Sequence, residues 1–173
     1  MKKLIAVITL ALMPLTGMAS GGGGAPLEMA NIDLNNHAAI QRGAKLFVNY
    51  CMGCHSAKYV RYKLFTKVGL TEDDIKDNLI FTDSKVGDLM KIAMPEAEAS
   101  SWFGAPAPDL TLTARIRHGG ADWIYTYLKG FYADPSRPMG VNNTLFPNVG
   151  MPHVLWEMQG VQEPVYKYEV HHD

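Results

Sequence analysis

The stretch NYCMGCHS, residues 49–56, holds the only two cysteines of the chain, and a histidine follows the second directly. Three chemistries use two cysteines at this spacing. A redox dithiol needs a thioredoxin-like βαβ setting and a thiolate at a helix N-terminus. No βαβ pattern surrounds residues 51–54, and the motif follows a helical pattern instead of opening one. Half of a structural zinc site needs two further ligands; His118 and His153 stand at no common spacing for that. Covalent haem attachment is the specific reading of C-x-x-C-H: two thiols meet the two vinyl groups and the adjacent histidine lies under the iron. It also accounts for a chain that keeps no other sulfur in thiol form.

A macrocycle replaces much of a protein's own apolar core, so the fold class expected is mostly α, a cytochrome c-like haem domain with short helices and long loops around one covalently bound haem. The hydropathy pattern agrees. In HAAIQRGAKLFVNYC, Ile40, Ala44, Phe47, Val48 and Cys51 recur at helical spacing, with Asn35 or Asn36 as cap. Thr71 and Asp74 have capping-box spacing, and acids fill the first turn after them. A short helix is expected through VGDLMKIAM. PEAEASSWFGAPAPD is expected to be a loop. LTLTARIRHGGADWIYTYLKGFY predicts a helix to about Arg117, a break at Gly119 and Gly120, and a second helix from Asp122 to Tyr132. ADPSRPMGVNNTLFPNVGMPHV predicts a long irregular loop, and EPVYKYEV one strand of a hairpin.

The N-terminus differs from the rest. Lys2 and Lys3, an apolar run to Leu15 and small residues ending near Ala19 predict a signal peptide over 1–19. A Gly-rich, flexible leader is expected over 20–36 and the haem domain over 37–173. Export to a bacterial periplasm follows. The formal net charge of -1 offers no basic field for nucleic acid.

A haem needs partners for its propionates, and TARIRHGG supplies Arg115, Arg117 and His118, equally readable as a solvated basic turn. GAPAPDL supplies rigid prolines. Met139, Met151 and Met158 are sixth-ligand candidates by type, although the chain has ten methionines and most such residues fill core gaps.

Several segments together resemble the cytochrome c1 family, the haem subunit of ubiquinol–cytochrome c reductase, most closely its proteobacterial form. They are IQRGAKLFVNYCMGCHS, YVRY, LTEDDIK, APAPDLTLTARIRHGGADWIYTYLKGFY and FPNVGMPHVLWEMQG, and they cover most of residues 37–160 in the family's order. The resemblance implies haem c joined to Cys51 and Cys54, with His55 as axial ligand. It implies Arg117 at the propionates with Arg115 and His118 nearby, Pro106 and Pro108 packed near the haem, and Met151 in a loop beside it. The family's sixth-ligand methionine and its membrane-anchor helix would fall beyond Asp173, so the chain reads as truncated and soluble as it stands. Glu72, Asp73, Asp74 and Asp77 resemble the family's docking region for a basic cytochrome c; a capped, solvated helix explains the same acids. The implied role is electron transfer on the periplasmic side of the inner membrane, with no catalysis by the chain alone. Electrons pass from the Rieske iron–sulfur subunit to soluble cytochrome c, beside cytochrome b. The rivals are a free periplasmic cytochrome c shuttle and a thiol–disulfide oxidoreductase.

Overall fold

The computed structural model describes residues 26–165; the predicted signal peptide and the end of the predicted tail strand lie outside these. Helix α1 (His37–Leu46) starts where Asn36 accepts the Ala39 amide, and continues into a π-helical turn, Phe47–Cys51. The wide turn carries the amphipathic stripe through to Cys51. Strand β1 (Ala57–Arg61) and a 3-10 stretch, Tyr62–Val68, follow. Helix α2 (Glu72–Leu79) has both arms of its capping box, between Thr71 and Asp74.

Beyond it, the helix expected through VGDLMKIAM is absent. Leu89–Met90 form a two-residue strand, β2, antiparallel to β1 with Ala57 opposite Met90. Long-range pairing wins over a short helical pattern there. The loop expected over PEAEASSWF contains helix α3 (Glu96–Phe103). Pro95 precedes its first residue, acids fill its first turn and Gly104 closes it with φ +80°. Proline and glycine thus mark its ends instead of interrupting it.

The glycine break separates α4 (Thr113–Ile116) from α5 (Gly120–Lys129). The second helix stops before Tyr132: β3 (Phe131–Ala133) pairs antiparallel with β4 (Val141–Asn143), so the expected irregular loop holds one arm of a hairpin. A short helix α6 (Trp156–Gln159) ends the described order, and residues 161–165 are irregular.

Two apolar clusters result. One gathers Ala44, Val48, Ala57, Tyr62, Ile75, Leu79, Ile80 and Met90, with Met52 of the cysteine motif packed against it. The other centres on Phe131, Val141 and Val149, flanked by Tyr127, Met139 and Met151. The described chain is mostly helical with short helices and long connections, consistent with the haem-domain architecture expected from the sequence. No helix among the described residues is long and apolar enough to cross a membrane.

Candidate functional site

The cysteine motif is a hydrogen-bonded turn. The amides of Cys54 and His55 both donate to the Cys51 carbonyl, at 3.1 and 2.9 Å. Both thiols are half-buried and unpaired. Burial pushes the Cys51 thiol up, the opposite of what a reactive thiolate needs. With no helix N-terminus behind it either, the turn is poorly suited to disulfide exchange. Among the described residues no three His, Cys, Asp or Glu side chains converge as metal ligands, so the zinc reading lacks its donors.

His55 is buried, and its Nδ1 lies 2.7 Å from the Pro108 carbonyl. A carbonyl can only accept, so Nδ1 carries the proton and Nε2 keeps its lone pair. This is the arrangement that orients a metal-binding imidazole and fixes its tautomer. The two segments are tied again by the Leu110 amide, which donates to the Ser56 carbonyl at 2.8 Å, and by the Lys58 amide, which donates to Asp109 at 2.7 Å. Burial alone would raise the Asp109 carboxyl. The bonds from Lys58 and Thr111, with the Lys58 charge, more than offset it and hold the carboxyl below its ordinary range. A few residues on, Leu112 and Ile116 present apolar side chains that are 51% and 77% exposed. A buried, proton-directed imidazole, two free thiols on one turn and an adjoining apolar face fit a covalently bound haem.

The other residues singled out from the sequence divide. Pro108 reaches His55 through its carbonyl, whereas Pro106 is exposed. Arg115, Arg117 and His118 are all exposed, and Arg117 lies 3.8 Å over the Trp123 ring. Met151 accepts a hydrogen bond from the Tyr127 hydroxyl at 3.4 Å. Glu72 is paired with Lys63 at 2.9 Å and Asp74 closes the capping box, while Asp73 and Asp77 make no side-chain bond among the described residues.

A profile of the Cytochrome C1 family matches residues 30–164. The chain belongs to the cytochrome c1 family. It is 54% identical to cytochrome c1 of Allochromatium vinosum, over 95% of this chain and 67% of that protein. It is 46% identical to a Nitrosomonas europaea protein named ammonia monooxygenase gamma subunit, over 92% and 68%. With the mitochondrial cytochrome c1 heme protein of Schizosaccharomyces pombe it shares 31%, over 65% and 43%. The chain therefore spans about two thirds of the first two of these relatives and less than half of the yeast one. It is a haem c protein with the cofactor attached covalently, an electron-transfer subunit of the cytochrome bc1 complex with no catalysis of its own.

The sequence reasoning passed over Trp123, Tyr127, Asn142 and Asn143, and weighed His153 only as a zinc ligand. Trp123 stacks on Tyr127 at 4.9 Å, and Tyr127 meets Phe131 edge-on at 5.3 Å. Buried Asn143 donates to the Tyr127 carbonyl and accepts from the Leu145 and Phe146 amides. Buried His153 lies parallel to the Phe131 ring at 5.0 Å. The i, i+4 spacing of Trp123 and Tyr127 was a readable signal; the asparagines carried none.

Proposed function

We propose that Cys51 and Cys54 hold the haem through thioethers and that His55 is its axial ligand through Nε2. The observation that carries this reading is the 2.7 Å hydrogen bond from His55 Nδ1 to the Pro108 carbonyl. Bound there, haem supplies reversible one-electron transfer. The chain's residues do the rest. The 108–110 stretch orients the imidazole, and the apolar face of α4 shields the macrocycle. Arg117, with Arg115 and His118 near it, neutralises the propionates. Met151 belongs to the surrounding loop, its sulfur engaged by Tyr127, and is not the sixth ligand. Electrons arrive from the Rieske subunit, with cytochrome b as the further partner, and leave to a soluble cytochrome c. That acceptor docks at the acids of α2. This takes place on the periplasmic side of the bacterial inner membrane, after export directed by residues 1–19. Residues 37–173 serve as the haem domain; of the flexible leader expected over 20–36, residues 28 and 30 are instead hydrogen-bonded to α5.

The test is a visible spectrum, oxidised and reduced, of the chain exported in a host with c-type haem maturation, beside a haem-stained denaturing gel. Sharp reduced bands and haem that survives denaturation are expected, both lost in the Cys51→Ala/Cys54→Ala variant. A colourless product with two reactive thiols would move the chain to the thiol–disulfide class. The weak far-red band of a Met–iron bond would put the sixth ligand within residues 1–173. Affinity purification from membranes should bring down cytochrome b and the Rieske subunit. Recovery of a monooxygenase instead would favour the role in the Nitrosomonas relative's name.

A further inference from the structure

Residues 27–30 lie along α5 from end to end. The Glu28 amide donates to Thr126 Oγ1 at 2.9 Å, and the Ala30 amide donates to Asp122 Oδ1 at 2.8 Å. The buried Thr126 hydroxyl in turn donates to the Asp122 carbonyl at 2.7 Å. The Lys129 ammonium pairs with the Glu28 carboxylate. At the other end Leu27 closes over Gly119: a Cβ there would sit 2.3 Å from the Leu27 Cδ1 and 3.3 Å from the Trp123 Cβ.

We infer that residues 27–30 are a positioning strap that fixes the glycine corner before α5 and so keeps the Arg117 guanidinium on the Trp123 ring. The corner needs fixing. Gly119 and Gly120 both have positive φ, +83° and +51°, a conformation that leaves glycine many alternatives on either side. Arg117 is exposed, and a cation over an aromatic face is weakly held in water. Leu27 covers the very turn that separates Arg117 from Trp123, and the Gly120 amide donates to the Arg117 carbonyl inside it at 2.8 Å. Any consequence for the cofactor rests on the reading of Arg117 given above.

The experiment compares Thr126→Val, Thr126→Ser and Leu27→Ala with the parent in the haem-loaded, reduced chain with carbon monoxide on the iron, which makes the haem diamagnetic. Amide exchange at Glu28 and the ring-current shift of the Arg117 side-chain protons are read by NMR. Thr126→Val should speed Glu28 exchange at least tenfold and shrink the Arg117 upfield shift. Thr126→Ser, which keeps the acceptor, should restore both, and Leu27→Ala should shrink the shift alone. Unchanged Glu28 exchange in Thr126→Val would overturn the inference. So would faster exchange with an unmoved Arg117 shift in both Thr126→Val and Leu27→Ala. A reduction-potential titration separates the two readings. If Arg117 faces the haem, Arg117→Gln lowers the potential, and Thr126→Val lowers it less. A smaller Arg117 shift with an unmoved potential would support the strap and remove Arg117 from the haem's surroundings.

Discussion

The Tyr127 ring stacks on Trp123, meets Phe131 and Phe146 edge-on, and sends its hydroxyl to Met151. Burial pushes its phenol up to about 12, against the opposing pull of the Arg117 charge. An unfolded tyrosine ionises near 10. Between the two values the folded chain keeps a proton that the unfolded chain has lost, so stability should fall as pH rises from about 10 to about 12. Urea midpoints across that window should decline more steeply in the parent than in Tyr127→Phe, where the raised Tyr62 phenol and Lys129 ammonium still contribute a slope. Asn143 is the second residue on which much depends. It is 1% exposed, and its amide serves three backbone groups. Asn143→Leu strands those groups, and denaturant unfolding should show a loss of about 3 kcal/mol. A Tyr127→Phe loss near that size, away from alkaline pH, would mean that the hydroxyl–sulfur contact matters more than its length implies.

At the scale of elements, α2 tests capping. Thr71→Ala removes the side-chain acceptor for the Asp74 amide and should cost about 1 kcal/mol. Thermal melts read this, and Thr71→Ser should recover most of it. This helix was legible in advance because its start signal is local: cap, acids and apolar stripe fall within nine residues. Helix α1 was legible for the same reason. Three other elements were not. The strand over Leu89 and Met90 depends on Ala57 and Arg61, about thirty residues away, and nothing near it encodes that partner. Helix α3 was hidden because Pro95 and Gly104 were read as loop composition when they are punctuation. Helix α5 was drawn too long because Phe131 and Tyr132 continue its apolar pattern. They instead pair with Asn142 and Asn143, and Gly130 makes the corner. The site divides the same way. Cys51, Cys54 and His55 form a contiguous signal, whereas the Pro108 carbonyl that orients His55 is main chain and leaves no mark on residue type.

For the whole molecule, the acidic face of α2 is not one uniform patch. Glu72 already faces Lys63, and Asp74 is spent on the helix start, so Asp73 and Asp77 are the charges among these four left to steer a cationic partner. Asp73→Asn/Asp77→Asn should slow second-order electron transfer to a basic cytochrome c, roughly threefold to tenfold at low ionic strength. It should also flatten the salt dependence, whereas Glu72→Gln should do less. Stopped-flow kinetics across a salt series decides this; equal effects from all three acids would mean that the ion pair opens in the encounter. The hydrogen bond between His55 and Pro108 has a different reach. Every amino acid placed at position 108 brings the same carbonyl oxygen, so no change of side chain can delete that acceptor. Substitutions along this stretch act by moving the oxygen, not by removing it. If His55 binds the iron as proposed, the electron-donating strength of its imidazole is set by where the main chain runs and not by which side chain it carries, so it is open to gradual adjustment.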